Sequence, residues 1–583
     1  MPSVSMGRGG AGRPRIPTRR RGPGAPPDTE PPGHGTPLAR LRADPSPRPP
    51  LVDAPPPIAP QTVTAEPELA EAVAFRIGRP VDAWAVVAAL ESEGWRDVDA
   101  EERFGAGDLF GLAAGLYPAC VEAAARRPAG PDDAAVDGHA VLVRRFAVSY
   151  LRGLTYALPV TGQVAALVWL GYSLWASVRL TEGGATMIGL GTIGSFVITA
   201  GFVQALAHET SRLLGHELGG QARRVAYRIA WLGAKAVLVS GLVLFVVNLV
   251  IPFYPVVLGV VVLTYYVLLG WLWLALALLY VQERLVAVGM ATTLGILPVW
   301  AVVAVLEWDI HVAHALGLVV SIALALAWAS RTLGRPHLAE SDGPEPPLPR
   351  ASTMFHTTLP YVGYGVLYFL VLFADRVVAW SAAGDDPLAY PLWFRTDYEL
   401  GMDWALVVLF VMLAALPFSV RRMGGQIHSL GSASATADVA GAMRARYFRH
   451  LALLLGCGAV GVAGAWAGGL ALGRWGPDVL KPIFEPGVPT YVFLVASAGY
   501  FLLAVGLMNG LVFLAQGQTG RVLRPLALAL ALDLSAGFVL TRSLGYEHAA
   551  LGLLAGAAWF AAATTKSALR MLRRADYFSY VAY

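Results

Sequence analysis

Lysine is almost absent from this chain: Lys235, Lys481 and Lys566 are the three in 583 residues. Cysteine is scarcer, with Cys120 and Cys457 far apart in different regions. That excludes a disulfide framework and a thiolate metal site. Charge of either sign is thin. Asp, Glu, Lys and Arg make up 14% of the residues, against about 25% in soluble domains. The formal charge of +4 is small, and the basic residues sit at the ends of apolar runs and in the N-terminal tail, so no nucleic-acid face is implied. The phosphate-binding pattern GxxxxGK followed by Ser or Thr does not occur, which leaves no sign of an ATPase. His208-Glu209 and His216-Glu217 begin like zinc-protease motifs, but each lacks the second histidine. The chain does not read as an enzyme, and no cofactor or metal is expected.

What is present in quantity is apolar. Hydrophobic residues make up 56% of the chain, and the mean hydropathy is +0.55. The expected class is an all-α polytopic membrane protein. Apolar runs near 157–178, 186–207, 229–250, 255–280, 285–306 and 311–330 predict six spans. Six more are predicted near 357–379, 402–420, 451–473, 491–513, 525–541 and 549–565, the 525–541 run being short. Each is near the ~20 residues that cross ~30 Å of hydrocarbon. Arginine placement sets the orientation. With the N-terminus inside, the inner segments hold clusters such as Arg223, Arg224 and Arg228, or Arg444, Arg446 and Arg449. The outer loops hold only Arg179, Arg395, Arg474, Lys481 and Arg542. The expectation is a cytoplasmic membrane protein of about twelve helices in two six-helix bundles (145–331 and 354–583). A Pro-rich cytoplasmic linker (332–353) joins them, and both termini are cytoplasmic. Two such bundles are the architecture of transporters that rock around a central site.

Ahead of the membrane part lie two further segments. Residues 1–65 are rich in Pro, Gly and Arg, a composition that cannot bury enough surface to offset ordering entropy, so disorder is expected. Its arginines at 13–21 are open to contact with membrane lipid, a solvated tail being the plainer reading. Residues 66–128 predict a small soluble helical module. VDAWAVVAALESEGW (81–95), DVDAEERFG (97–105) and GDLFGLAAGLYPACVEAAARR (107–127) read as helices, the last bent or broken at Pro118. Glu101, Glu102 and Asp108 read as a solvated face, and the module's expected role is docking or regulation.

One stretch gathers charge against the membrane: LPYVGYGVLYFLVLFADRVVAWSAAGDDPLAYPLWFRTDYELGMDWALVVLF (359–410). Asp375 and Arg376 fall inside a span, where a charge costs roughly 2.5–3.5 kcal/mol on insertion scales. Adjacent helix residues do not face each other, so each needs its own partner. Arg395 is a candidate for Asp375, and Asp397, Glu399 or Asp403 for Arg376. Two readings stand: a structural network locking two spans, or cavity groups that touch sugar hydroxyls or acidic glycan. Asp533, mid-span, is either a structural hydrogen-bonding group or an ion-coupling site. Lys235 reads as a snorkelling residue or a cavity group, and Gln204 and Asn509 as interhelical hydrogen-bond glue. The first outer loop, RLTEGGA (179–185), is too short to form the catalytic floor of a membrane glycosyltransferase.

FADRVVAW (373–380), FRTDYELGMDWALVVLF (394–410) and RMLRRADYFSY (570–580) resemble the corresponding stretches of the Pel-type exopolysaccharide exporters. These are members of the multidrug/oligosaccharidyl-lipid/polysaccharide flippase superfamily. Unlike that family, the chain opens its membrane part with VLVRRFAVSYLRG (141–153) and adds the helical module. The resemblance implies export or flipping of a polysaccharide or lipid-linked glycan by alternating access, without ATP, with a proton or sodium gradient as the candidate drive. The rivals are a drug or small-molecule exporter of the same fold, and a non-transporting scaffold subunit of a glycan synthase. The module keeps the second rival open, through contact with a glycosyltransferase or synthase subunit.

Overall fold

The computed structural model describes residues 65–77, 80, 82–126, 139–155, 158–178, 180–215, 218–333, 348, 350–383, 388, 390–428, 439–475 and 487–573. The expected tail, most of the linker and the last ten residues lie outside these. Among the described residues the structure is helical, with one isolated β-bridge from Tyr172 to Ser177.

Four helices precede the membrane part: α1 (Glu66–Ile77), α2 (Ala83–Ser92), α3 (Asp97–Phe104) and α4 (Leu109–Arg126). Asp82 caps α2 by accepting from the Ala85 amide at 2.9 Å, and Gly105 ends α3 in the left-handed region at φ +66°, where a side chain would be strained. α4 runs as one helix through Pro118, so of the expected bend or break the break does not occur; the proline still removes one backbone hydrogen bond and crowds the carbonyl four residues earlier. Leu69, Val86, Leu90, Leu112 and Leu116 bury their side chains among these helices.

The membrane part comprises α5 (His139–Leu154), α6 (Leu158–Leu170), α7 (Glu182–Gly215), α8 (Gly219–Val250), α9 (Val256–Tyr280), α10 (Leu285–Leu294), α11 (Ile296–Ala304) and α12 (Ile310–Thr332). It continues with α13 (Ala351–Trp380), α14 (Thr396–Leu413), α15 (Leu416–His428), α16 (Val439–Trp475), α17 (Val488–Ala515), α18 (Gly520–Ser543) and α19 (Ala549–Leu572). Among the described residues, 11 stretches are long and apolar enough to cross a membrane, and two bent pairs raise this to 13. The bent pairs are α3 with α4, at 62°, and α5 with α6, at 57°. Counting the second pair gives the twelve spans of the two-bundle architecture.

The first expected span, 157–178, is not one helix. α6 has 13 residues, about 20 Å at 1.5 Å per residue, and it ends at Gly171, whose φ of +80° suits glycine. Residues 171–178 fold into a turn held by Ser173 N–H to Ala176 O at 2.7 Å. An apolar run in sequence carries no sign of this glycine-set reversal. The short 525–541 run proves to be a 24-residue helix. The polar residues at its ends, Arg521, Arg524 and Arg542, lie within the helix and had masked its length.

Two separate apolar cores define the bundles. Leu206, Val225, Leu269, Val288, Val299 and Leu318 belong to the first. Val371, Met402, Val408, Phe493, Tyr500 and Phe560 belong to the second. The bundles meet along α7 and α13. Phe196 of α7 stacks on Phe369 of α13 at 5.0 Å, and on Trp273 of α9 at 4.4 Å. The approach is close: a Cβ on Gly365 would lie 2.6 Å from the Ala200 carbonyl oxygen. Phe146 and Tyr150 of α5 pack against the second core. Phe146 meets Phe418 edge-on at 5.3 Å, and Tyr150 Oη donates to Val411 O at 3.2 Å.

Candidate functional site

The site forms where α13 and α14 lean together near the end of α13 at Trp380. Asp375 and Arg376 are both buried. As neighbours on a helix they point apart, and each finds its own partner on α14. Tyr398 Oη donates to Asp375 Oδ2 at 2.6 Å. Arg376 forms ion pairs with Glu399 and, at 2.9 Å, with Asp403 Oδ1. Glu399 Oε1 also accepts from Trp380 Nε1 at 2.8 Å. The spacing on α14 makes this work. Tyr398, Glu399 and Asp403 lie within six residues, and the last two are four apart on one helix face. The Arg376 guanidinium also lies 5.7 Å from the Phe373 ring centroid, which ties the charge cluster to the aromatic seam between the bundles.

The two carboxylates on Arg376 differ in setting. The Glu399 side chain is 5% exposed and that of Asp403 is 68% exposed. The guanidinium therefore has a buried anchor on one side and an open carboxylate on the other. Asp533 of α18 is fully buried and packs beside α19, where a Cβ on Gly556 would come within 3.3 Å of its own Cβ. It lies near enough to Asp375 to interact electrostatically. Neither Asp533 oxygen, nor Asp375 Oδ1, has a hydrogen-bond partner among the described residues. Two buried carboxyls thus share a region whose one buried arginine is committed to Glu399 and Asp403.

Two sequence-derived candidates fall outside this cluster. Arg395 does not serve Asp375. Its Nη2 donates to Ala382 O at 2.7 Å, and its guanidinium lies 5.0 Å from the Tyr546 ring. Arg395 is the N-cap residue of α14, so it sits at the helix mouth, where the carbonyls just past the end of α13 attract a cation. Arg542 does the same through Ser381 O at 3.0 Å. Asp397 is exposed in the first turn of α14, on the side away from Arg376. The site has members that reasoning about charges did not single out as partners: Tyr398 and Trp380, both buried. Tyr398 stands among the aromatics that the 359–410 stretch sets beside its charges, but which carboxyl each ring meets is decided by helix packing.

Other polar residues have plainer surroundings. Asn509 accepts from Tyr447 Oη at 3.0 Å and donates to Thr565 Oγ1 at 3.0 Å, joining three helices. Gln204 lies against Gly365 on the α7–α13 seam. His208 stacks on Tyr361 at 3.8 Å, and the buried Glu209 accepts from Thr357 Oγ1 at 2.9 Å. The histidine-glutamate pair at 208–209 thus joins the bundles at the far end of the seam. No cluster of three or more metal-binding side chains occurs among the described residues. At the near end, Trp393 Nε1 donates to Glu182 at 2.9 Å, and the Phe394 amide donates to Thr186 Oγ1 at 3.0 Å.

No protein-family model matches the chain, and no curated protein matches it. Solved structures do. One is a multidrug resistance MATE family transporter of the MOP superfamily in its outward-facing conformation: TM-score 0.51, 14% identity, 73% of this chain and 96% of that chain. A multidrug resistance MATE family transporter of the MOP superfamily in its inward-facing conformation matches with TM-score 0.51 at 12% identity, over 73% and 96%. A third is a MOP superfamily transporter from Pyrococcus furiosus, described as having a binding pocket of reversed polarity, which suggests a different function (TM-score 0.51, 12% identity, 73% and 96%). The chain shares the two-bundle fold of these proteins.

Proposed function

We propose that the protein exports or flips a polysaccharide or lipid-linked glycan across the bacterial cytoplasmic membrane by alternating access, with both termini on the cytoplasmic side. The observation that carries this reading is Arg376, fixed by buried Glu399 and facing the open carboxylate of Asp403. Placing charge at that depth costs a few kcal/mol, and a lock between two helices is built more cheaply from apolar side chains. An exposed carboxylate held by a buried cation beside aromatic rings suits a hydroxyl-rich sugar. The sequence resemblance to polysaccharide exporters points the same way.

The seam between the bundles supports alternation. It is bridged at one end by Trp393 to Glu182, and at the other by Thr357 to Glu209. Each bridge is a small polar contact that one swing of the bundles breaks while the other holds. Asp533 is the coupling candidate: neither of its carboxyl oxygens has a hydrogen-bond partner among the described residues. A buried carboxyl with no protein partner is stable in hydrocarbon only when protonated or matched by a cation, which is the property a gradient-driven cycle uses. The helices α1–α4 are assigned a cytoplasmic docking role toward a glycosyltransferase or synthase subunit. Their Trp84 and Phe110 are 69% and 45% exposed and meet edge-on at 5.0 Å.

The second reading, export of a drug or small molecule, rests on the multidrug transporters that share the fold. The experiment that separates them measures export with Asp375→Asn and Asp403→Asn. Neither variant strands a buried charge, because Arg376 keeps Glu399 in both. Loss of glycan export by at least tenfold, with normal monodisperse protein in detergent, supports the glycan reading. Full glycan export by both variants removes this cluster from the substrate path. Protection of cells from a panel of cationic dyes, lost in the same variants, moves the assignment to the drug exporter.

A further inference from the structure

α8 carries a feature that the transport reading does not use. Its 32 residues extend about 48 Å, well beyond ~30 Å of hydrocarbon. If Trp231–Val250 fills the hydrocarbon, Arg228 falls at the membrane surface and Lys235 one turn inside. Arg228, Trp231 and Lys235 are exposed and lie at i, i+3 and i+7 on one face. The stripe continues into exposed Leu238, Leu242 and Val246. Helical side chains lean toward the helix N-terminus, so Lys235 reaches back along the stripe. Its Nζ stands 5.1 Å from the Trp231 ring centroid. α8 contains Arg223, Arg224, Arg228 and Lys235 and no carboxylate. No acidic partner of Arg228 or Lys235 occurs among the described residues. On that placement, two cations flank an exposed indole at the water–lipid boundary, next to an exposed apolar track.

We infer that this stripe is a binding site for one anionic phospholipid. The phosphodiester headgroup is held between Arg228 and Lys235, the indole sits at headgroup level, and an acyl chain lies along Leu238, Leu242 and Val246. A tryptophan at that level prefers the interface, and a basic cluster beside a span attracts anionic lipid. An apolar surface leading straight from the cations distinguishes a lipid from a soluble phosphate.

The test uses the full chain in detergent, titrated with phosphatidylglycerol, phosphatidylcholine or soluble glycerol phosphate and read by native mass spectrometry. The expected result is at least tenfold preference for phosphatidylglycerol over phosphatidylcholine, with no adduct from glycerol phosphate. Arg228→Gln with Lys235→Gln should weaken phosphatidylglycerol binding roughly 25-fold, at about fivefold for each basic contact. Arg444→Gln with Arg446→Gln, exposed residues on α16, should leave it unchanged. Should the α8 double variant fail to fold, Trp231→Ala serves in its place and should weaken binding severalfold. No preference between the two lipids overturns the inference. So does an equal loss in the α16 variant, which would mean general surface charge, and so does glycerol phosphate binding as tightly as the lipid.

Discussion

Arg376 is one side chain held by two carboxylates of unlike exposure, and that difference governs what substitution there does. Removing the guanidinium leaves Glu399 buried with only the Trp380 indole as a donor. Breaking a buried pair from one side costs about 3–5 kcal/mol. Arg376→Gln is therefore expected to lower both export and thermal stability, measured by unfolding of the detergent-solubilised protein. Arg376→Gln combined with Glu399→Gln removes both charges and should recover most of that stability while export stays lost. If the double variant recovers export as well, the pair is a structural lock and nothing more. The sequence placed Asp375 and Arg376 in the membrane and named Glu399 and Asp403 as candidate partners, because helix spacing is readable. Arg395, a candidate partner for Asp375, donates instead to the Ala382 carbonyl. Nothing in linear order tells that α14 begins at Thr396 and leaves Arg395 at the helix mouth.

At the scale of helices, the α7–α13 seam is where the proposed alternation is tested. Thr357→Val with Glu209→Gln removes the bridge at the end of the seam near His208 and Tyr361. It should shift the population toward opening at that end, read as increased distance between spin labels placed across it. Glu182→Gln weakens the bridge to Trp393 and should shift opening to the other end. An unchanged distance distribution in both variants would mean that these bridges do not gate. The seam also depends on a missing side chain. Gly365→Ala puts a methyl 2.6 Å from the Ala200 carbonyl oxygen and 2.7 Å from Gln204 Cγ. Overpacking of this kind typically costs 1–3 kcal/mol, so the variant should melt several degrees lower than the parent. The apolar runs revealed most of these helices, since twenty apolar residues in a row have few other fates. They did not reveal the reversal at Gly171 or the seam glycine, which depend on a backbone angle and on a neighbouring helix.

For the whole molecule, the arginine asymmetry yields a topology that labelling can check. Cysteines introduced at Ser341 and Ala383, in a background lacking Cys120 and Cys457, are probed in intact cells with an impermeant maleimide. Position 383 should react and position 341 should not. The reverse pattern would invert the protein in the membrane and place the Arg376 cluster near the inner surface. Either result leaves the two-bundle fold intact, because the cores of the bundles do not depend on which side faces out.

Composition and the placement of apolar runs determined that this chain is a helical membrane protein of about twelve spans in two halves, because hydrocarbon tolerates few backbone solutions and each needs its length of apolar sequence. The choice of partners belonged to tertiary structure. Tyr398 on Asp375, Glu399 and Asp403 on Arg376, and Asp533 without a hydrogen-bonding partner among the described residues all follow from how α13, α14, α17, α18 and α19 pack. A buried charge is satisfied by whatever the folded chain brings within about 3 Å, and that distance is set by helix packing and not by sequence separation.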